Sequence, residues 1–341
     1  MSDLHTRFTR REVLRLAALG AGSALLAACA RATEPITRTF PTPSSDVPTI
    51  PITATRDFFT LSIRGTPTTP TDWKLTIGGL VEQPLTLTLD EIKALPAVTA
   101  MRTLACISNP VGGSLIGNAV WRGVRLRDLL TRAGVAANAR YLKLEAFDGF
   151  HTGIPLDLGM DADALLAYEI NGEPLPRDLG APLRCLFPGR YGMKQPKWIQ
   201  TITVTSEIHL GFWERQGWSN EAYILPFSRI DAPKDSATIT EATFTLSGIA
   251  FSGAAGLAKV EIGWDDTRQW LPTELTRAPS PLAWSVWRWS GAALSSGRHT
   301  LYARATDALG NTQTRAQAFR IMESFPNGVD VMHSIVLDFR R

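Results

Sequence analysis

The chain has 341 residues, 44% hydrophobic and 20% charged, with 35 Lys and Arg against 32 Asp and Glu. That length fits two ordinary domains, and the balance is that of a folded globular chain rather than a disordered or membrane-filling one. The net charge of +3 gives no electrostatic footprint for nucleic acid. Three cysteines (Cys29, Cys106, Cys185) exclude a disulfide scaffold, a four-Cys zinc site and a four-thiolate iron–sulfur cluster. No Cys-x-x-Cys-His string offers a covalent haem site.

Residues 1–29 read as an address. Arg10-Arg11 precede 13 uncharged residues, Leu16 to Ala28. That is too short to span a bilayer, which takes about 20, and has the layout of a signal peptide. The paired arginines and mild Ala/Gly-rich run resemble a twin-arginine signal. Leu26-Ala27-Ala28-Cys29 resembles a lipoprotein processing site, with Cys29 as the lipidated residue. The expectation is export by the twin-arginine route to a periplasmic or extracytoplasmic face, with a lipid anchor at Cys29. The competing reading is an amphipathic helix, which the Ala and Leu on every face weaken. Without residues 1–28, 31 basic groups face 30 acidic ones, so most of the basic character lies in this leader.

Residues 30–52, rich in Pro, Thr and Ser, read as an extended tether. From 53 to 230 strands and helices mix. Trp73–Ile77 alternates like a strand and ends at Gly78-Gly79. Thr88 followed by Asp90 and Glu91 reads as a helix start. Val124–Ala133 has helical spacing and stops at Gly134. Tyr141–Ala146 and Ile199–Val204 read as strands. This half is expected to be an α+β domain. From 231 to 341 helical periodicity disappears. Thr243–Phe251, Leu257–Trp264, Trp284–Trp289 and His299–Ala305 alternate between turn-formers, which predicts a β-sandwich. Trp287 and Trp289 share one strand face, for packing or for ligand stacking.

Cys106 stands where an apolar strand (Leu104-Ala105) enters a loop of turn-formers, Ser108-Asn109-Pro110 and Gly112-Gly113. It is open to three readings: a nucleophile, a single thiolate ligand to a metal, or a buried structural thiol. A nucleophile needs a base, and outside the leader and the sandwich only His151 and His209 remain. Cys185, in an apolar run, reads as structural. Arg184, Arg190, Lys194 and Lys197 place four cations around a Gly-rich loop. That makes either a pocket for a phosphate-bearing anion or a solvated loop.

Two strings sharpen this. Residues 167–184 (AYEINGEPLPRDLGAPLR) and 188–198 (PGRYGMKQPKW) resemble the molybdopterin-binding domain of the sulfite oxidase family, and the resemblance extends over about 53–341. It implies a sulfite-oxidase-type α+β domain followed by an immunoglobulin-like dimerisation sandwich, and hence a homodimer. It implies a mononuclear molybdenum held by one pyranopterin dithiolene, with Cys106 as the metal ligand. Arg184 corresponds to the arginine that binds the pterin phosphate. Lys197, with the Gln195 backbone, corresponds to the pterin-binding segment, and Asp148 to an acidic pterin contact. Phe59 and Ser62 fall in the string that cradles the pterin.

The departures bear on substrate. Where the family's sulfite-oxidising members carry arginines, this chain has Leu61 and Val111. Two histidines become Ile63 and Leu179, and the active-site tyrosine becomes Trp218. Charge-assisted bonds to an anion are worth about 1.5–3 kcal/mol each, so losing two arginines argues against sulfite. The expected function is two-electron oxygen-atom transfer on a small, less charged substrate. Cys106 and Trp218 would sit in the catalytic site, and electrons would pass to an external one-electron carrier, cytochrome or quinone-linked, with no haem in the chain. Two alternatives stand beside it: a true sulfite oxidase using Arg190 or Lys194 as substitute cations, and a non-catalytic cell-surface binding protein.

Overall fold

The computed structural model describes residues 50–266, 269–315 and 323–340. The leader over 1–29 with Cys29, and the tether up to 49, lie outside the described residues.

In chain order the first half runs β1 (Leu75–Gly79), β2 (Leu85–Leu87), α1 (Leu89–Lys93), β3 (Ala97–Ala105), β4 (Ile116–Arg125) and α2 (Leu126–Ala133). It continues with β5 (Tyr141–Ala146), β6 (His151–Pro155), α3 (Leu156–Met160), β7 (Leu165–Ile170), β8 (Glu173–Pro174), β9 (Arg184–Leu186) and β10 (Ile199–Thr205). The predicted start at Thr88 is a full capping box: Thr88 Oγ1 accepts from the Glu91 N–H, and the Glu91 carboxylate accepts from the Thr88 N–H. The stretch read as one helix over Val124–Ala133 divides differently. Val124 and Arg125 finish β4, and only Leu126–Ala133 is helical, ending at Gly134 with φ +68°. Strand is the main regular structure of the described residues. Their three α-helices span five to eight residues each, less helix than the α+β expectation carried.

One sheet has the order β2-β1-β10-β5-β6, with β1 and β10 parallel. A second has the order β3-β4-β7-β8, with β9 added on β7. The β7 run Leu-Leu-Ala-Tyr is apolar throughout because it is buried on both faces. Leu166 and Tyr168 join the core under the first sheet and α2, while Leu165 and Ala167 join a smaller core with Trp121 and Phe58.

The second half runs β11 (Phe227–Ala232), β12 (Thr238–Ile239), β13 (Thr243–Phe251), β14 (Leu257–Trp264), β15 (Leu271–Pro272), β16 (Glu274–Thr276), β17 (Ser285–Ala292), β18 (Gly297–Asp307) and β19 (His333–Phe339). Sheets of order β11-β13-β17-β16 and β12-β19-β18-β14-β15 share one core, so the alternation read in the sequence is alternation into a common interior. Trp287 is fully buried there, and Trp289 packs on it edge-on to Phe244, 5.3 Å between ring centres. Both tryptophans are packing residues. A fourth apolar cluster draws on both halves: Ala105, Ile116, Tyr191 and Met193 meet Phe227, Ile249, Phe251 and Trp284.

Candidate active site

The loop after β3 is closed on itself. The Cys106 N–H donates to the Leu115 carbonyl (2.9 Å), and the buried Asn109 side chain accepts from the Leu115 N–H (2.8 Å). This holds Cys106 half-buried, its Sγ 3.1 Å from Ser108 Oγ. Cys185 is fully buried in the main core, and burial pushes its thiol far above the usual range. It is the structural cysteine the sequence suggests.

Arg184 opens β9 inside the protein. Its Nη1 donates to the Leu179 carbonyl (2.9 Å), and its guanidinium lies 5.1 Å from the Trp121 ring. Its Nε has no partner among the described residues, and no carboxylate forms an ion pair with it there. Burial pulls its pKa down to about 10. Lys197 lies close by. It donates to the Asp178 carbonyl (2.9 Å) and sits 4.2 Å from the Trp198 ring. Burial, and next the neighbouring Arg184, lower its pKa to about 8.

These groups open into one cavity of about 540 Å³. The eight residues to which the family resemblance gives a metal, cofactor or catalytic role all line it: Phe59, Ser62, Cys106, Asp148, Arg184, Gln195, Lys197 and Trp218. Phe59 stacks on Phe58, 5.6 Å between ring centres. The Asp148 carboxylate accepts from the Phe150 N–H (2.9 Å) and closes that turn. The Gln195 side chain is turned to its own loop, donating to the Arg190 carbonyl and accepting from the Phe187 N–H.

Sequence reasoning missed much of the wall. Ile107, Phe150, Met193, Phe212, Trp213 and Gln216 also line the cavity. The dense aromatic run Gly211-Phe212-Trp213 to Trp218 was the available signal.

Four sequence expectations need correction. Leu61 and Ile63 line the cavity, but Val111 and Leu179 do not. Val111 sits in the turn after Pro110, and Leu179 is buried in the small core with Trp121. Arg190 and Lys194 do not line it either. Arg190 is buried, its guanidinium 3.7 Å from the Tyr223 ring. Lys194 is buried against Glu214. The four-cation cluster therefore splits in two, leaving Arg184 and Lys197 as the only cations on the cavity among the described residues. His151 and His209 pair with each other, Nδ1 to Nε2 at 2.9 Å, and no histidine among the described residues lines the cavity.

Residues 63–213 match the oxidoreductase molybdopterin binding domain. Over 160 residues the chain is 40% identical to an uncharacterized oxidoreductase, YuiH, of Bacillus subtilis (strain 168), covering 45% of this chain and 79% of that one. The chain belongs to the sulfite oxidase family of molybdopterin oxidoreductases. It is 30% identical to the sulfite oxidase of Arabidopsis thaliana over 61% of its length and 65% of that protein's. It is also 30% identical to the mitochondrial sulfite oxidase of Drosophila melanogaster, over 72% and 52%. The chain thus spans about half to two thirds of these sulfite oxidases. The sulfane dehydrogenase SoxCD of Paracoccus pantotrophus has a similar fold, with a TM-score of 0.73 at 22% identity, covering 85% of this chain and 84% of that one. This protein is accordingly an oxidoreductase with a molybdopterin-binding domain. Its residues fit such a group: a buried arginine whose Nε has no partner among the described residues lines the same cavity as a half-buried cysteine. A phosphate-bearing cofactor supplies the anion that such an arginine lacks.

Proposed function

We propose that this protein is an exported, lipid-anchored molybdenum oxidoreductase that moves one oxygen atom to or from a small neutral substrate, not sulfite. The observation that carries this reading is the charge distribution on the cavity. Among the described residues its two cations adjoin each other, and the rest of the wall around Cys106 is largely aromatic and aliphatic. Arg184 and Lys197 would hold the cofactor phosphate, Phe59, Ser62, Asp148 and the Gln195 backbone the pterin, and Cys106 the metal. Bound as a mononuclear centre with one pyranopterin dithiolene, molybdenum would supply the two-electron oxygen-atom chemistry. Trp218, with Trp213 and Phe212, would wall the substrate side and exclude water. A doubly charged anion would lose its hydration there with no free cation among the described residues to replace it.

The second half, whose two sheets share one core, would serve as an immunoglobulin-like dimerisation domain. Electrons would pass singly to an external cytochrome or quinone-linked carrier, without a haem in this chain. The twin-arginine signal and Cys29 would place the protein on a periplasmic or extracytoplasmic face.

Metal analysis of protein matured in the cytoplasm, followed by a dye-linked screen, tests the reading. Stoichiometric molybdenum is expected, with turnover of neutral sulfoxides or N-oxides at least tenfold more efficient than of sulfite. Efficient sulfite oxidation at micromolar KM would overturn the substrate assignment. Protein without molybdenum would overturn the enzyme assignment in favour of a binding protein.

A further inference from the structure

Lys194 is one residue from the cavity lining and fully buried, yet it does not reach the cavity. Its ammonium donates to the Gly153 carbonyl (2.9 Å), the Asn220 side-chain oxygen (3.0 Å), Thr152 Oγ1 (3.3 Å) and the Glu214 carboxylate. Thr152 Oγ1 in turn donates to the same Glu214 oxygen, at 2.6 Å. The other Glu214 oxygen is buried without a partner among the described residues.

As a stabilising device this is a poor choice. A buried ion pair loses hydration that an apolar pair of equal volume never had, and an unpartnered carboxylate oxygen adds to that cost. What the pair supplies is direction, because charge-assisted hydrogen bonds fix position where apolar contact leaves latitude.

The stretch it fixes is the aromatic wall. Glu214 and Asn220 bracket Gln216 and Trp218, and Phe212 and Trp213 immediately precede Glu214. This stretch has only a three-residue 3-10 turn of its own, Glu214–Gln216. Among the described residues, its backbone is tied to more distant elements by two bonds: Phe212 N–H to the His151 carbonyl and Ser219 N–H to the Pro326 carbonyl, both 3.1 Å. One ammonium therefore grips the wall at two points and joins it to β6 and to the lining residue Met193.

We propose that Lys194 is a positioning residue for the substrate wall, setting through Glu214 and Asn220 where Trp213 and Trp218 stand and hence how tightly a substrate is held. This rests on the reading of the cavity as the substrate site.

The test uses the full-length holoenzyme with the double substitution Lys194→Met, Glu214→Gln. It removes both charges and leaves an amide for Thr152, so no charge is stranded. The protein is labelled with 5-fluorotryptophan, and the Trp213 and Trp218 signals are assigned by Trp→Phe variants. The ¹⁹F signals of these two tryptophans are expected to shift or broaden while the other eight stay. Molybdenum content is expected to be kept, and KM for methyl phenyl sulfoxide with a reduced dye to rise at least tenfold with kcat within threefold. Unmoved Trp213 and Trp218 signals, or all ten moving together, would overturn the proposal, as would an unchanged KM where wild type is active. If wild type turns over no neutral sulfoxide, that counts against the substrate reading, and the fluorine signals still decide the role of Lys194.

Discussion

Arg184 and Lys197 lay the bases of their side chains against the same residue, Gly180. A Cβ built on Gly180 would stand 3.0 Å from Arg184 Cβ and 3.1 Å from Lys197 Cβ. Gly180 also has φ +119°, where a side chain is strained in any surroundings. One small residue therefore sets where both cavity cations stand.

Gly180→Ala is expected to cost about 1–3 kcal/mol of stability through backbone strain and to push both cations off their positions. Molybdenum content per protein should fall at least fivefold, read by metal analysis beside thermal melting. Full metal loading with an unchanged melting temperature would separate Gly180 from the cofactor site.

Arg184→Met should act in opposite directions on the empty and loaded protein. In the empty protein it removes a buried cation whose Nε has no partner among the described residues, a feature that costs about 1–3 kcal/mol. Melting of cofactor-free protein should hold steady or rise, while molybdenum retained after purification drops at least tenfold. A variant that melts lower and keeps its metal would show that Arg184 serves the fold.

Lys197 makes anion binding depend on pH. Its folded pKa, about 8, lies below the ordinary lysine value because burial, and next Arg184, disfavour the charge. The ammonium is present below about pH 8 and lost above it, so affinity of the cofactor-free protein for inorganic pyrophosphate should weaken as pH rises through 8. The linkage to folding has the opposite sign: between about 8 and the unfolded lysine pKa the unfolded chain binds more protons, so this residue's contribution to stability rises with pH. Calorimetric titration from pH 6.5 to 9.5 checks the binding, and Lys197→Arg should flatten the profile. A wild-type profile as flat as that of the arginine variant would exclude Lys197 as the titrating group.

The two described cysteines should part cleanly. Cys106→Ser is expected to lower turnover at least a hundredfold and to change the Mo(V) spectrum, with melting nearly unchanged, because Cys106 is half-buried on a loop. Cys185→Ser should leave the spectrum alone and cost about 1–3 kcal/mol by placing a hydroxyl in the main core. Identical spectra for both variants and wild type would remove Cys106 from the metal.

Features written in neighbouring residues were legible in the sequence. The capping box at Thr88 and Glu91 needs only four residues. The alternation of Thr243–Phe251 needs only a period of two, and it is β13. The eight residues named for the site came from a family frame that two long strings anchor, Arg184, Gln195 and Lys197 within them and the rest outside, and the fold gathers all eight on one cavity. The strings do not say which way a side chain turns. Leu179 goes inward to Trp121, and Val111 stays in its turn, so two of the substitutions read as lining the pocket do not. Nor could composition divide the four cations. The place of Lys194 depends on Glu214, 20 residues on, and that of Arg190 on the Tyr223 ring. Helix content was over-read because α2 follows β4 without a break, so a helical run absorbed the end of a strand.

The apolar layer joining the two halves bears on how the enzyme can be handled. Trp213 and Trp218 pack against it, and Trp218 meets Phe325 edge-on at 5.2 Å. The cavity wall is therefore propped from behind by residues of the second half, as far along as Phe325, 107 positions beyond Trp218. A minimal catalytic fragment ending near 226 would shed Phe227, Ile249, Phe251, Trp284 and Phe325 at once. It would show water the bared faces of Ile116, Tyr191 and Met193, a surface that invites aggregation. Protein engineering of this site is thus tied to the whole chain: exchanging the trailing half for another of similar outline would re-aim Trp218 even with every residue up to 226 kept.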